Sequence, residues 1–410
     1  MSTALSSPSH RLHALDAVRG GALLLGVALH ATLSFIPGAQ VWLVADPSRS
    51  MTLAYVFFAI HVFRMTLFFI LAGFFAHLLF HRLGLTEFVK NRFKRIFVPL
   101  VTFWPIVLPG IVAALVWAAH LKFGGLPKDA PPGPKFTPGD FPLTHLWFLW
   151  MLMLLYAALI PLRAVLVAAD RRGWLRNIAD RTVGFAFRPV GLLLIALPGA
   201  VVLWLEAKWT MWTGIPTPDR TLYANVPAWV CFGLAFGFGW LLDRRRDLLD
   251  ALAMQWKRHA LIAIVLLGGC FAAINVLPAS KALPADGLKF AMALLYNATA
   301  WAMSLAAIAL AVKFLSNESP TRRYIADASY WVYIIHLPII LALQVVWSQL
   351  TWAWWIKFPL IVGPGLVIMF ASYHWLVRST AIGAMLNGRK MPRKISETTT
   401  TMPQPHSAPT

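Results

Sequence analysis

Charged residues are scarce in this chain of 410 residues, since Lys, Arg, Asp and Glu together make up only 13% of it. A soluble globular domain needs roughly 25% charged residues to cover its surface, so the composition excludes that class of protein. Acidic residues are fewer than basic residues, with 16 Asp and Glu against 36 Lys and Arg. Cysteine occurs only as Cys231 and Cys270, both inside apolar runs. They suggest neither a disulfide framework nor a CxxC metal site.

Several catalytic signatures are also missing from the sequence. It contains no HExxH, no Walker loop, no GxSxG and no cluster of carboxylates suited to a metal, so we expect no bound metal. No nucleic-acid-binding motif accompanies the formal net charge of +20. Basic loops that orient a membrane protein and face anionic lipid explain that charge, so we expect membrane lipid and no nucleic acid as a partner.

Long apolar runs are what the chain has in excess. Hydrophobic residues make up 59% of it, and they fall into runs of about twenty, the length that crosses a hydrocarbon core of roughly 30 Å. This pattern predicts an all-α, polytopic integral membrane protein with about ten transmembrane helices. The predicted spans are residues 15–36, 51–79, 96–119, 143–167, 190–205, 224–242, 260–277, 290–312, 325–346 and 358–377.

Basic residues alternate between the connections of these spans. Of the 36 Lys and Arg residues, 24 fall in the termini and every second loop, 9 in the remaining loops, and the other three within spans. Because cytoplasmic loops carry the excess of Lys and Arg, we expect ten spans and cytoplasmic termini. We divide the chain into a transmembrane domain, residues 1–380, and a cytoplasmic tail, residues 381–410, with disorder expected from about residue 396.

Three ionisable residues interrupt the first apolar run, "LDAVRGGALLLGVALHATLSF". On a helix, Arg19 returns to within roughly 20° of His30, Asp16 lies about 40° to the other side, and His30 stands about 16 Å beyond Arg19. Ionisable groups in membrane helices are costly unless they face a cavity or a partner, which makes these three functional candidates. A structural alternative is an interfacial Asp16–Arg19 ion pair and a His30 that bonds a neighbouring helix.

Further polar residues follow in the second and third spans. His61 and Arg64 lie one turn apart, and Gly73 permits close contact with another helix. Arg92 and Arg95, three residues apart where the third span begins, suit a clamp for phosphate groups. Ordinary basic flanking of a span is the simpler explanation of the two arginines when they are taken alone.

The fourth and ninth spans complete the set of candidates. His145 and Trp147 open the fourth span, where we expect them at the non-cytoplasmic surface, and Tyr330, Tyr333 and His336 share one face of the ninth. Each histidine taken singly is most simply a structural hydrogen-bonding group. As a group, the four histidines point to a functional site, and they are His30, His61, His145 and His336.

These motifs resemble those of the membrane acyltransferases of acyltransferase family 3. Arg19, ten further residues and His30 match the family's first-helix signature, and Arg92 and Arg95 match its Arg-x-x-Arg element. "LFFILAGFF" is similar to the family's FF-x-x-SG stretch, with Ala72 where serine is usual, and "HLWFL" and "YWVYIIHLPI" are similar to further patterns. Within the family, the sequence looks most like the succinyltransferases of osmoregulated periplasmic glucans.

The resemblance implies a bacterial inner-membrane enzyme that transfers an acyl group, such as succinyl, from cytoplasmic acyl-coenzyme A to a hydroxyl of a periplasmic or cell-surface glycan. Acyl-coenzyme A is then a substrate, and no cofactor is permanently bound. His30 is expected to act as general base or as transient acyl carrier. The other expected site residues are Arg19 and Asp16 beside it in the catalytic set, Arg92 and Arg95 for coenzyme A, and His61, Arg64, His145, Trp147, Tyr333 and His336 for the substrates.

Within this set, Asp16 is expected to hold Arg19, because it lies about 21 Å from His30 along the helix. Tyr333 and His336 are the candidates to orient the His30 imidazole. The competing hypotheses are a transporter or flippase of a saccharide or lipid-linked sugar, and a non-catalytic assembly factor. The sequence shows no internal repeat, which disfavours a transporter built from paired halves.

Overall fold

The computed structural model describes residues 8–38, 42, 44–126, 132–276, 284 and 286–388, with side chains from residue 12 onward. Within these ranges the regular structure is helical and no β-strand forms, which confirms the all-α prediction. The helices are α1 (Pro8–Thr32), α2 (Met51–Leu83), α3 (Leu85–Arg92), α4 (Val98–Phe123), α5 (Trp147–Ala169), α6 (Trp174–Phe185), α7 (Pro189–Leu205), α8 (Val226–Arg244), α9 (Asp247–Met254), α10 (Trp256–Val276), α11 (Gly287–Phe314), α12 (Pro320–Ser348), α13 (Trp354–Ser372) and α14 (Ala381–Asn387).

Nine of the described helical segments are long and apolar enough to cross a membrane. They coincide with nine of the ten predicted spans. The remaining prediction, residues 190–205, falls on α7, which has only 17 residues and is bent by 110° from α6 across a short break. A helix of that length rises about 26 Å, close to the minimum for crossing a hydrocarbon core. The described residues therefore hold nine spanning helices, or ten if the bent pair counts as one span.

Two basic segments that the sequence predicts to be loops between spans are largely helical in the structure. In the segment 82–95 the chain turns at Gly84, whose φ is 75°, and then continues through α3 and a π-helical segment, Phe93–Phe97, into α4. The residues of α3, "LTEFVKNR", contain no Gly or Pro, so only Gly84 interrupts the helical path. In the segment 171–188, α6 forms before the bend.

The centre of the bundle is built around α1 and α2. α1 packs against α2, α11, α12 and α13, and α2 packs along α8. Where α2 meets α8, a Cβ added at Gly73 would overlap the carbonyl of Phe236, and one added at Gly239 would overlap the carbonyl of Ile70. The two backbones touch because both positions are glycine, which confirms the close contact predicted for Gly73.

The described part of the predicted tail packs on the bundle. The side-chain amide of Asn387, at the end of α14, donates to the carbonyl of Asp327 in α12 at 3.0 Å. The following Gly388 lies against the guanidinium of Arg95, which leaves no space there for a side chain. Residues 381–388 thus border the transmembrane helices, while the disorder predicted from about residue 396 lies outside the described residues.

Candidate active site

His30 lies in the last turn of α1, where the backbone carbonyls have no partner within the helix. The side-chain amide of Gln344 donates to the carbonyls of His30 and Ala31 at 2.9 and 3.3 Å. The His30 ring is stacked on Trp42, with ring centroids 5.5 Å apart, and its Nδ1 is buried without a hydrogen-bond partner. Buried polar atoms are nearly always paired, so this nitrogen is available to a ligand.

His336, on α12, faces His30 with the ring centroids 5.0 Å apart. Its Nδ1 lies 2.7 Å from the carbonyl of Tyr333, and because a carbonyl only accepts, Nδ1 is the donor. In the neutral imidazole Nε2 then carries the lone pair, and that atom is also buried without a partner. Two adjacent imidazoles therefore each offer one unpaired ring nitrogen.

His145 completes a cluster of three histidines, with its ring 4.7 Å from that of His336. Its Nε2 donates to the carbonyl of Ile334 at 3.0 Å. That carbonyl is free because the residue four positions later in α12 is Pro338, which has no N–H to give it. The hydroxyl of Tyr333 in turn donates to the carbonyl of His145 at 2.7 Å. α12 therefore fixes His145 from both its side chain and its backbone.

The turn that delivers His145 is strained and anchored. Thr144 has φ of 53°, a left-handed conformation that is an outlier for a β-branched residue. Its N–H donates to the carbonyl of Asp219 at 2.9 Å, which ties the connection before α5 to the connection before α8. Desolvation raises the pKa of the Asp219 carboxyl, although the residue as a whole is exposed.

Arg64 brings a positive charge to the same region. Its guanidinium lies against Gly26, one turn before His30 on α1, where an added Cβ would overlap Nη1. Its Nε is buried without a partner, and the described residues provide no carboxylate to pair with it. The groups that interact with it electrostatically include His61 and Tyr333 and the three histidines His30, His145 and His336. An enclosed cation of this kind is a candidate anion site.

His61, one turn before Arg64 on α2, is held by an aromatic ring and by a backbone carbonyl. Its ring is stacked on Phe57, with centroids 5.0 Å apart, and its Nε2 lies 3.3 Å from the carbonyl of Thr213. The next residue, Gly214, has φ of 64° and leaves no room for a Cβ beside His61 Nε2 and the hydroxyl of Tyr296. His61 therefore supports the connection between α7 and α8.

Trp147 is not at the surface, and that prediction is wrong. Its side chain is 8% exposed and stacked on Phe232 of α8, with ring centroids 5.5 Å apart. It therefore fills the core, because its flat ring meets another aromatic ring across the α5–α8 contact. His145 is buried as well, at 8% exposure, instead of lying at the surface. The aromatic ring that does face a candidate catalytic group is that of Trp42, on His30.

A second cluster, which we call the arginine cluster, consists of Arg19, Arg92 and Arg95. Arg19 forms the ion pair with Asp16 that their spacing predicts, with Nη2 3.1 Å from Oδ1 and both side chains partly exposed. Arg95 is close enough to Arg19 and Arg92 for both to repel it. Arg92 lies over the ring of Phe88 at 5.5 Å and keeps its Nε buried and unpartnered. Three cations share one carboxylate here, which leaves a net positive site.

Local backbone features position the arginine cluster. Arg95 lies in the π-helical segment Phe93–Phe97, and short π segments of this kind are frequent at functional sites. Pro99 has no N–H to bond the carbonyl of Arg95, and the hydroxyl of Tyr330 donates to that carbonyl at 2.7 Å. α12 therefore contacts both clusters, with Tyr330 at the arginines and His336 at His30.

The histidine and arginine clusters lie along α1, separated by the eleven residues from Arg19 to His30, about 16 Å of helix. Tyr333 was a candidate to orient His30, but its hydroxyl bonds the carbonyl of His145 instead. Trp42 and Gln344 contact His30 and were not predicted. In the sequence, a lone amide side chain inside an apolar run marks Gln344 as a candidate for a buried polar contact. No feature of the sequence distinguishes Trp42 from the eighteen other tryptophans. Among the described residues, no group of three or more His, Cys, Asp or Glu side chains is arranged to hold a metal ion.

Comparison with known proteins gives a family and partial relatives. A family profile described as an acyltransferase domain (Acyl_transf_3) matches residues 12–374. Glucans biosynthesis protein C of Escherichia coli (strain SMS-3-5 / SECEC) is 33% identical over 156 residues, and so is that of Escherichia coli (strain SE11). Each alignment covers 36% of this chain and 38% of the relative, so the chain spans well under half the length of these curated relatives. No solved structure matches it.

Proposed function

Because the chain belongs to the Acyl_transf_3 family of acyltransferases, we propose that it transfers an acyl group from cytoplasmic acyl-coenzyme A to a hydroxyl of a glycan across the membrane. The acceptor is a periplasmic or cell-surface saccharide, and similarity to glucans biosynthesis protein C favours a glucan. The protein is a multi-pass membrane protein, and we place it in the bacterial inner membrane with both termini in the cytoplasm. Acyl-coenzyme A binds as a substrate and leaves as coenzyme A.

The observation that carries this proposal is the pair of buried, unpartnered nitrogens, His30 Nδ1 and His336 Nε2, on adjacent rings. Acyl transfer to a hydroxyl requires a base that removes the hydroxyl proton, and imidazole is the side chain best suited to this near neutral pH. A bundle that only transported a sugar would have no need of unpaired imidazole nitrogens on two adjacent rings.

The arginine cluster supports binding of the nucleotide end of coenzyme A. Guanidinium groups bind phosphate through charge-assisted, often bidentate hydrogen bonds, and Arg92 and Arg95 have no carboxylate partner among the described residues. Arg19, which lies close to Arg95, is about 16 Å from His30 along α1, and this separation suits a substrate whose phosphates and thioester are joined by a long pantetheine arm. The thioester then lies within the bundle beside His30.

Two courses of reaction are compatible with this geometry. In the first, His30 takes the proton of the sugar hydroxyl while that oxygen attacks the thioester carbon, and the leaving thiolate takes the proton back. In the second, His30 attacks the thioester carbon, the C–S bond breaks and coenzyme A leaves as the thiolate. The sugar oxygen then attacks the acyl-imidazole, the N–acyl bond breaks, and the hydroxyl proton passes to the thiolate. In either course the products are an ester and coenzyme A with a free thiol.

Arg64 supports succinyl as the acyl group. A succinyl thioester carries a free carboxylate, and Arg64 offers an enclosed guanidinium without a carboxylate partner one turn from His30. The purified protein should therefore prefer succinyl-coenzyme A to butyryl-coenzyme A, which has four acyl carbons and no charge. Arg64→Met should reduce that preference by about tenfold to a hundredfold, the value of one charge-assisted contact.

Arg64→Lys is the control that keeps the positive charge but not the guanidinium. It should keep part of the preference for succinyl-coenzyme A over butyryl-coenzyme A. The measurement is kcat/KM for each donor, from release of the coenzyme A thiol. Equal use of both donors by the wild-type protein would rule out succinyl selection by Arg64.

The experiment that tests the proposed function uses purified protein in proteoliposomes with labelled acyl-coenzyme A inside and an osmoregulated glucan outside. We expect label on the glucan hydroxyls and free coenzyme A inside. His30→Ala should abolish transfer, whereas His13→Ala, a histidine substitution elsewhere on α1, should retain it. Movement of the glucan across the membrane without acyl transfer would instead support the transporter hypothesis.

A further inference from the structure

Gln344 is a buried side-chain amide on α12, 1% exposed, and both ends of the amide are engaged. Its Nε2 donates to the carbonyls of His30 and Ala31 at 2.9 and 3.3 Å. Its Oε1 accepts from the indole N–H of Trp42 at 2.8 Å. Two carbonyls that can only accept and one indole that can only donate leave a single orientation for the amide.

These contacts join three separate parts of the chain around one ring. Gln344 comes from α12, His30 from the last turn of α1, and Trp42 from the connection between α1 and α2. Trp42 is also stacked on the His30 ring, with centroids 5.5 Å apart and planes inclined by 30°. The amide therefore holds both the backbone that carries the imidazole and the aromatic ring that covers it.

We propose that Gln344 is a positioning residue that fixes the His30 imidazole in its working orientation through Trp42 and the end of α1. The last carbonyls of a helix are free to fray unless a side chain bonds them, and Gln344 supplies the donors within the bundle. Because Gln344 fixes both the end of α1 and the indole that covers the ring, the His30 imidazole keeps one orientation. Its unpaired Nδ1 then points in one constant direction. The catalytic part of this proposal rests on the proposed function, whereas its geometric part does not.

The proposal predicts a specific kinetic signature. Gln344→Met removes the donors and the acceptor while keeping the length of the side chain, and Trp42→Phe removes only the indole N–H. Each should lower kcat by about tenfold to a hundredfold, since misplacement of a catalytic group by about 1 Å costs that much. The KM for acyl-coenzyme A should stay within about twofold because neither residue belongs to the arginine cluster. Gln349→Met, at an exposed glutamine directly after the same helix, is the matched control.

A double substitution separates positioning through Trp42 from unrelated damage. If Gln344 acts partly through the indole, Gln344→Met combined with Trp42→Phe should lower kcat less than the product of the two single effects. Independent effects that multiply, a change confined to KM, or a Gln344→Met protein with the kcat of the Gln349→Met control would each overturn the proposal.

A second readout does not require acyl transfer. Diethyl pyrocarbonate modifies unprotonated imidazole nitrogens that it can reach. His30 is half-buried with an unpaired Nδ1, and peptide mass spectrometry reports its modification rate. That rate should change severalfold in Gln344→Met and in Trp42→Phe and remain at the wild-type value in Gln349→Met. An unchanged rate in both variants would overturn the geometric part. Absence of acyl transfer by the wild-type protein would contradict only the proposed function.

Discussion

At the residue scale, the site is made of polar groups that the bundle encloses without pairing them. His30 Nδ1, His336 Nε2, Arg64 Nε and Arg92 Nε all lack a hydrogen-bond partner among the described residues. Each such group costs free energy in the empty protein, of the order of 1–3 kcal/mol for a neutral group. They belong to α1, α12, α2 and α3 respectively. We expect the bound substrates to supply hydrogen-bond partners to them.

The arginine cluster yields a prediction about donor binding. Replacing Arg92 and Arg95 together by Ala should weaken coenzyme A binding by tenfold or more, because two charge-assisted phosphate contacts are lost. Lys94→Ala is the control, since Lys94 lies in the same π-helical segment but is exposed. Isothermal titration with coenzyme A measures the affinity. Equal affinity in the double variant and the control would rule out the phosphate clamp.

At the element scale, proline residues make places for side chains from other helices. Pro338 leaves the carbonyl of Ile334 free for His145, and Pro99 leaves that of Arg95 free for Tyr330. Both carbonyls would be taken by backbone N–H groups in an unbroken α-helix. The prolines in these helices therefore determine where α12 bonds its neighbours at the two clusters.

Replacing Pro338 by Ala tests this use of proline. The new backbone N–H should bond the Ile334 carbonyl and displace His145, so acyl transfer should fall by about tenfold or more while the thermal midpoint stays equal or rises. Pro161→Ala, inside α5 on an exposed face, is the matched control and should leave transfer unchanged. Wild-type transfer in Pro338→Ala would show that the His145 contact has no role in the reaction.

A buried ion pair fixes the element that covers His30. Lys357 of α13, 0% exposed, bonds both oxygens of Asp46 at 2.9 and 3.0 Å, and Asp46 lies in the connection that also carries Trp42. Lys357→Met should destabilise the protein by about 3–5 kcal/mol, because it leaves the Asp46 carboxylate buried and unpaired. Lys357→Met with Asp46→Asn should be less destabilised than the single variant. Thermal unfolding in detergent measures both, and equal midpoints for all three proteins would contradict the assignment.

At the scale of the whole molecule, the connections determine how often the chain crosses. Backbone hydrogen bonds join the connection before α5 to the one before α8, from Phe141 to Arg220 at 3.0 Å and from Leu222 to Pro138 at 2.8 Å. These two connections therefore lie on the same side of the bundle. With α5 as a crossing, we expect α7 to return across the membrane as the tenth span in spite of its 17 residues. Ten crossings would place both termini on one side.

Labelling checks this topology. In a background of Cys231→Ala and Cys270→Ala, single cysteines at Ser6 and Ser407 should react with a membrane-impermeant maleimide only after the inner membrane is opened. Lys135→Cys, in the connection before α5, should react in cells whose outer membrane alone is permeable. Termini that label on opposite sides would contradict ten crossings, and termini that both label from outside would reverse the orientation.

The sequence predicts most of the helices and the polar face of α1 because both follow from local spacing. Apolar run length locates the spans, and the position of Arg19 relative to His30 follows from helical geometry alone. Trp147 was misplaced because an aromatic residue at the start of a span suits an interface and a core equally. The hydrogen bonds of Gln344 to Trp42 and to the carbonyl of His30 join residues about 300 positions apart, and no local pattern reports such pairing.

We propose that His30 performs acyl transfer within the membrane, and the proteoliposome assay is the direct test of this role. Wild-type protein should move label from internal acyl-coenzyme A to external glucan. Folded His30→Ala protein should give no labelled glucan, and His13→Ala should give the wild-type amount. Labelled glucan at the wild-type rate from His30→Ala would show that His30 does not perform the transfer.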